Sequence, residues 1–165
     1  MFYVLYPNLG VFYILYCGGY RKGGSSTMSE TNCNTQHLNF KGKRILLAED
    51  NDLSAEVAIA ILNDAGVEVT RVVNGKECVK ALAEADPGKF DAIFMDILMP
   101  EMDGYRASRE IRAMGDPQKS EIPIIAMTSK TFDEDRWNCL VAGMNAHLAK
   151  PIDPKELFNT LGEFI

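Results

Sequence analysis

From Lys43 to the end of the chain, short apolar runs alternate with longer stretches of mixed polarity. The short runs predict buried β-strands, and apolar residues recurring at helical spacing in the longer stretches predict amphipathic helices. The predicted strands are Arg44–Ala48, Glu68–Val72, Ala92–Met95, Ile124–Met127 and Ala146–Ala149. The predicted helices are approximately Leu53–Ala65, Gly75–Ala85, Tyr105–Met114, Asp133–Ala142 and Pro154–Phe164.

This regular alternation of strands and helices indicates an α/β fold. A helix between two successive strands makes those strands parallel, and a parallel sheet normally has helices on both faces. We therefore expect a three-layer (βα)5 sandwich over residues 43–165. The full length of 165 residues suits one such domain with some chain to spare.

The first 42 residues follow a different pattern. Residues 1–17 are aromatic and apolar, but proline, asparagine and glycine interrupt the run, which is too short to span a bilayer in the ordinary way. Residues 18–36 are rich in Gly, Ser, Thr and Asn, as flexible linkers are. We expect residues 1–42 to be poorly ordered. A membrane contact by residues 1–17 stays open as an alternative, and Met1 and Met28 are both candidate translation starts.

Charge and cysteine usage narrow the classes of function. Residues 1–42 contain three basic residues and one acidic residue, whereas residues 43–165 contain 14 basic and 22 acidic residues. An acidic domain argues against direct binding to nucleic acid, which needs a basic surface, and suits a cation site. The four cysteines include no C-x-x-C pair, so neither a zinc site nor a redox pair is indicated. Reduced thiols suit a cytoplasmic location.

Polar residues follow four of the predicted strands directly: Glu49 and Asp50, Asp96, Thr128, and Lys150. The carboxyl ends of parallel strands meet at one edge of the sheet, where open α/β sheets bind their ligands. We therefore expect three carboxylates, a hydroxyl and an ammonium to lie close together. Clustered carboxylates repel one another unless a cation joins them, and Mg²⁺ prefers such oxygen ligands.

Asp96 is the candidate for covalent chemistry at this edge. A carboxylate can accept a phosphoryl group as an acyl phosphate. A metal ion and Lys150 would supply positive charge for the transfer, and Thr128 would donate a hydrogen bond to a phosphoryl oxygen. Taken singly, Asp50 or Asp52 also suits a helix cap, and Asp96 suits a turn. Their convergence with a lysine favours the site.

Four segments resemble the receiver domain of response regulators in two-component signalling, and they are most similar to receivers attached to hybrid histidine kinases. The segments are Leu46–Asn51, Met95–Gly104, Ile125–Thr128 and Ala149–Ile152. They occur in the family's order and spacing, and the resemblance covers residues 43–165. It implies a flavodoxin-like fold with the parallel strand order 2-1-3-4-5.

The resemblance also assigns roles to the residues at the sheet edge. Asp96 would be the phosphoacceptor. Glu49, Asp50, Asp96 and the backbone carbonyl of Leu98 would bind Mg²⁺, or Mn²⁺ in its place. The partner would be a histidine kinase or a histidine phosphotransfer protein that donates from a phosphohistidine. The domain would not be an enzyme in the usual sense, because it would catalyse only its own phosphorylation and dephosphorylation.

The resemblance implies a conformational switch as well. Thr128 and Lys150 would bind the phosphoryl oxygens, and the ring of His147 would turn inward with Thr128. Many family members have Tyr or Phe at the position of His147, so a partly exposed histidine without a switching role is the alternative. The fourth predicted helix, the fifth strand and the fifth helix would form the face that binds a downstream protein. Trp137 and Val141 on the fourth helix have the spacing of core residues, and we expect them to pack in the core, with a binding hot spot as the alternative.

Two further positions concern the lifetime of the acyl phosphate. Leu98 and Lys130 lie two residues after Asp96 and Thr128, where the family tunes hydrolysis. We hypothesise that the apolar Leu98 gives an attacking water little help, so that phosphorylation is long-lived. A stand-alone receiver, a shuttle in a phosphorelay and a fragment of a hybrid kinase all remain compatible with the sequence.

Other classes of protein fit less well. A Mg²⁺-dependent phosphatase with an aspartyl nucleophile usually has a D-x-D-x-T motif, but Leu98 stands at the second acidic position here. A flavin-binding flavodoxin needs a loop rich in Ser, Thr and Gly after the first strand, whereas this chain has acidic residues there. An interaction module that works without phosphorylation would not need the acids together with Thr128 and Lys150.

Overall fold

The computed structural model of the chain describes residues 40–129 and 133–165. The predictions for residues 1–39, and the tuning role predicted for Lys130, lie outside the described residues. Phe40, the first described residue, is buried, and its ring stacks on that of Phe158 with the centroids 5.7 Å apart. Within the described residues, none of the helices combines the length and the apolar character that crossing a membrane would require.

The five predicted strands form one parallel sheet in the order β2-β1-β3-β4-β5, which confirms the predicted topology. The strands are β1 (Arg44–Ala48), β2 (Glu68–Val72), β3 (Ala92–Asp96), β4 (Ile124–Thr128) and β5 (Ala146–Ala149). Strands β3 and β4 each extend one residue beyond the prediction, so Asp96 and Thr128 are the last residues of their strands. Backbone pairing thus fixes the main chain at both positions up to the sheet edge.

The described residues also form six helices. They are α1 (Asp52–Asp64), α2 (Gly75–Glu84), α3 (Gly104–Arg112), α4 (Pro117–Ser120), α5 (Asp133–Val141) and α6 (Pro154–Gly162). The short helix α4 was not predicted, because a single turn shows no helical period in the sequence. The fourth and fifth predicted helices therefore correspond to α5 and α6.

The sheet separates two apolar cores, as a three-layer sandwich requires. Ile45 and Leu47 of β1 pack on one face with α1 and α6, whereas Leu46 and Ala48 pack on the other face with α2, α3 and α5. Alternate strand residues point to opposite faces, so a buried run with no polar residue serves both cores. Each fully buried aliphatic side chain contributes about 1.5–3 kcal/mol. The cores hold the strand ends in fixed register.

The prediction that Trp137 and Val141 pack in the core is wrong. Their relative exposures are 60% and 63%, and the neighbouring Leu140 is exposed as well. Helix α5 instead turns Cys139 towards the sheet, and Ala142 just beyond its end is also buried. The helix carries two sets of apolar residues, and an i, i+4 spacing identifies a helix face without showing which face meets the sheet.

Candidate metal and phosphoryl site

Three carboxylates converge at the carboxyl edge of the sheet. Glu49 and Asp50 lie directly after β1, and Asp96 ends β3. One carboxylate oxygen from each residue lies within 4.8 Å of the others. Glu49 is 1% exposed and Asp96 is buried, whereas Asp50 is exposed to solvent. The structure therefore brings together the three acids that the sequence placed at one site.

The local fold leaves the carboxylates of Glu49 and Asp50 available to the site. Helix α1 is capped by Asn51, whose Oδ1 accepts a hydrogen bond of 2.9 Å from the backbone N–H of Ser54. Neither Asp50 nor Asp52 is the cap, which removes the alternative raised from the sequence. The backbone N–H of Glu49 donates to the carbonyl of Val72 at 3.0 Å, so β2 fixes the start of the connection.

Lys150 links two of the acids. Its Nζ lies 2.6 Å from Glu49 Oε2 and 2.9 Å from Asp96 Oδ2. The Lys150–Pro151 peptide bond is cis, and the backbone N–H of Lys150 donates to the carbonyl of Thr128 at 2.7 Å. The side chain is only 18% exposed, so it does not extend into solvent as a lysine at a strand end usually does.

Burial and charge shift the pKa values of this group. Burial raises the pKa of Glu49, the charge of Asp96 raises it further, and the hydrogen bond from Lys150 opposes both. Burial alone would lower the pKa of Lys150, but its hydrogen bonds to Glu49 and Asp96 outweigh that effect and raise it. Lys150 is therefore an ammonium at neutral pH, and it offsets part of the repulsion between the carboxylates.

The donor set fits a hard divalent cation. Mg²⁺ binds carboxylate oxygens and usually keeps several waters, so it needs a few convergent carboxylates rather than a closed cage. Glu49, Asp50 and Asp96 supply such oxygens, and Asp50 keeps the group open to solvent. Leu98 lies two residues beyond Asp96, with its side chain exposed, and the ligand role of its carbonyl stays a prediction.

The two predicted switch residues lie on neighbouring strands. Thr128 is buried at the end of β4, and the carboxyl end of its strand is the edge that carries the acids. His147 is half-buried on β5 and is paired in register with Ala126 of β4. Burial and the charge of Arg136 lower the pKa of His147, and Glu156 acts in the opposite direction. Its predicted turning inward stays a prediction.

Gly104 lies against the backbone of Asp96, although the sequence pattern assigned it no role at the site. It begins α3, and its backbone N–H donates to the carbonyl of Ile97 at 3.0 Å. A Cβ at this position would lie 2.3 Å from the backbone oxygen of Asp96, which is too close for any side chain. In the sequence, the one sign of this role was the position of Gly104 directly after the helix cap Asp103, in the segment that follows β3.

The class defined by this fold and site agrees with comparisons with known proteins. The chain matches the response regulator receiver domain over residues 45–162. It is 34% identical to "Probable histidine kinase 6" of Oryza sativa subsp. japonica in an alignment of 140 residues, gaps included, that covers 75% of this chain and 14% of that protein. It is 35% identical to "Hybrid signal transduction histidine kinase L" of Dictyostelium discoideum in an alignment of 117 residues that covers 69% of this chain and 7% of that protein. The chain thus spans a small part of these relatives.

Solved structures give the same result. One similar structure is the receiver domain of the sensor histidine kinase PA1611 of Pseudomonas aeruginosa, with a magnesium ion coordinated in its active-site cleft. It is 42% identical to this chain with a TM-score of 0.68, and the match covers 74% of this chain and 97% of that chain. The receiver domain of the histidine kinase CKI1 of Arabidopsis thaliana, complexed with Mg²⁺ and BeF3⁻, is 36% identical with a TM-score of 0.67 over 76% and 90% of the two chains. This chain belongs to the response regulator receiver domain family, the phosphoacceptor domains of two-component signalling.

Proposed function

We propose that Asp96 accepts a phosphoryl group from a phosphohistidine of a histidine kinase or a histidine phosphotransfer protein, in a reaction that depends on Mg²⁺, or on Mn²⁺ in its place. The observation that carries this proposal is the position of the Lys150 ammonium, which contacts both Glu49 and Asp96 within the carboxylate cluster. A buried carboxylate with a cation beside it, at a solvent-open edge, suits transfer of a dianionic group.

In this mechanism a carboxylate oxygen of Asp96 forms a bond to phosphorus while the phosphorus–nitrogen bond of the phosphohistidine breaks. The bonding electrons stay with the imidazole nitrogen, which takes up a proton from the solvent, so the leaving histidine side chain is neutral. Glu49, Asp50 and Asp96 would hold the cation, which when bound would supply positive charge to the phosphoryl oxygens. Lys150 keeps its proton throughout, because its raised pKa favours the ammonium. Thr128 binds a phosphoryl oxygen once the transfer is complete.

The signal would leave through the surface formed by α5, β5 and α6. Trp137, Leu140 and Val141 expose apolar surface on α5, as a partner-binding face often does. Thr128 ends β4 in register with Ala149 of β5, and His147 lies two residues earlier on β5. A shift of Thr128 towards the phosphoryl group, followed by the ring of His147, would alter this surface.

The same proposal holds that the domain turns over no separate substrate and acts only on its own phosphorylation state. The exposed, apolar side chain of Leu98 has no group that could orient an attacking water, which supports a long-lived acyl phosphate. A Leu98→Asn variant should lose phosphate faster than the wild type. Turnover of an aryl phosphate ester would instead favour a phosphatase.

The test of the proposed function is incubation with acetyl phosphate and Mg²⁺, followed by intact mass. We expect one added phosphate on the wild type and none on Asp96→Asn. Asp64→Asn, which changes an exposed acid at the end of α1, is the matched control and should be phosphorylated normally. A chelator should abolish the reaction. Phosphorylation of Asp96→Asn, or a wild type that is not phosphorylated with Mg²⁺ present, would refute the proposal.

A further inference from the structure

Arg71 on the edge strand β2 reaches across to the connection between β1 and α1. Its Nε donates a hydrogen bond to the backbone carbonyl of Glu49 at 3.1 Å, and its Nη2 donates to the backbone carbonyl of Asp50 at 3.3 Å. The same Nη2 lies 2.8 Å from Asp52 Oδ1 in the first turn of α1. One guanidinium therefore contacts both acids of the connection and the helix that follows them.

We propose that Arg71 is a positioning residue for the metal site: by holding the backbone of Glu49 and Asp50, it aims their carboxylates and sets the affinity for Mg²⁺. The inference rests on the proposed function, because it assumes that these acids bind the cation. Arg71 contacts main-chain oxygens and the Asp52 side chain, and it therefore affects the cation only through the positions of Glu49 and Asp50.

The contacts to the carbonyls carry this role, rather than the ion pair. The side chain of Asp52 is 86% exposed, and an ion pair at such a position contributes little to stability. The side chain of Arg71 is only 23% exposed, and its planar fork can donate to two carbonyls at once. A solvent-exposed arginine on an edge strand would make neither contact.

The connection needs this support because Mg²⁺ tolerates little error in ligand geometry. Glu49 to Asn51 form a three-residue link between β1 and α1. The N–H of Glu49 is already held by Val72, and Arg71 holds the carbonyl on the other side of the same residue. Strand β2 therefore anchors the Glu49 peptide groups through both a backbone bond and a side chain.

Charge and positioning predict opposite results when Arg71 is replaced. A cation close to a Mg²⁺ site repels the ion, so loss of the charge alone would tighten binding. Loss of positioning would weaken it. The direction of the change in Mg²⁺ affinity therefore separates the two roles, which a measurement of stability alone would not do.

The experiment compares Mg²⁺ binding by isothermal titration calorimetry in the full chain and three variants. Arg71→Met removes the charge and the contacts, and Arg71→Lys keeps the charge but cannot span two carbonyls. Arg44→Met is the matched control, because Arg44 donates to the carbonyl of Gly88 at 2.7 Å and lies 3.9 Å from Asp91 Oδ2, but at the opposite end of β1 from the acids. Urea unfolding of each variant identifies losses caused by general destabilisation.

We expect Arg71→Met to bind Mg²⁺ about tenfold more weakly, the lower end of the effect of groups that orient metal ligands. Arg71→Lys should also bind more weakly, and Arg44→Met should bind as the wild type does. With acetyl phosphate, the Mg²⁺ concentration for half-maximal phosphorylation should rise in Arg71→Met, whereas the rate at saturating Mg²⁺ should stay near that of the wild type.

Wild-type affinity or tighter binding in Arg71→Met would overturn the inference. So would wild-type affinity in Arg71→Lys, which also decides the matter if Arg71→Met does not fold. A fall in affinity of the same size in Arg44→Met would assign the effect to general destabilisation and would equally overturn it. Failure of the proposed function has a different signature, since the wild type itself would then bind no Mg²⁺ or accept no phosphate on Asp96.

Discussion

Replacing Gly104 by alanine should disable the phosphoacceptor while the domain still folds. The added Cβ would lie 2.3 Å from the backbone oxygen of Asp96 and 3.0 Å from Met95 Cγ. Carbon and oxygen atoms in the closest favourable contacts are about 3.3 Å apart, so either α3 or the end of β3 must move by about 1 Å. Backbone oxygen cannot rotate away as a flexible side chain would, and the displacement therefore reaches Asp96 itself.

The size of the effect follows from that displacement. A misplacement of about 1 Å in a reacting group can slow a reaction by about 10²-fold, or about 2.7 kcal/mol in the activation barrier. Overpacking at the same position should lower the free energy of unfolding by about 1–3 kcal/mol. We expect both losses in Gly104→Ala, with the loss of phosphorylation rate persisting at saturating Mg²⁺.

The assay is the rate of phosphorylation by acetyl phosphate at saturating Mg²⁺, read by intact mass, together with urea unfolding. Gly75→Ala is the matched control, because its Cβ would lie 2.6 Å from the backbone oxygen of Met102 and 2.9 Å from Ala107 Cβ, so it overpacks the start of α3 without meeting Asp96. Gly115→Ala, with no atom within 4 Å of the added Cβ, is the neutral control. A Gly104→Ala protein that is phosphorylated as fast as Gly75→Ala would refute the reasoning.

Two further predictions concern charged and titrating groups. In the presence of a chelator, Lys150→Met should lower the free energy of unfolding by about 2 kcal/mol, because Glu49 is 1% exposed and loses its cationic partner. Urea unfolding at neutral pH measures this, and equal stabilities of Lys150→Met and the wild type would contradict it. Saturating Mg²⁺ should narrow the difference in stability between the two proteins. Burial and Arg136 lower the pKa of His147, so its contribution to stability is fully present above about pH 6.5 and is lost as the pH falls through the folded-state value. His147→Gln should therefore show a flatter decline in unfolding free energy between neutral and mildly acidic pH, and an unchanged slope would count against this account.

Most of the architecture was predictable from local pattern. The apolar run from Ile45 to Ala48 is buried on both faces of the sheet, and this is why it reads as an uninterrupted hydrophobic segment. The polar residues that end such runs reach the same sheet edge because parallel strands share one direction. The strand order needed the family resemblance, since periodicity shows that strands exist but not which of them are neighbours.

Other features depend on contacts between residues far apart in the chain. Trp137 on α5 was predicted to pack in the core but is exposed. Trp137 and Val141 on one side of the helix and Cys139 on another all offer apolar surface to the sheet, and only packing decides between them. Helix α4 is too short to show a period. The carbonyl contacts of Arg71 connect positions 22 and 21 residues apart, and the residues beside Arg71 in the sequence give no sign of them.

The sequence by itself determined that acids, a hydroxyl and a lysine would gather at one end of a parallel sheet, because residue type and strand direction are local properties. Only the tertiary structure decided how closely they meet. Strand register and helix packing arise only when the whole domain folds. They set the distances from Lys150 to Glu49 and Asp96, the close approach of Gly104 to the Asp96 backbone, and the contacts that Arg71 makes from β2.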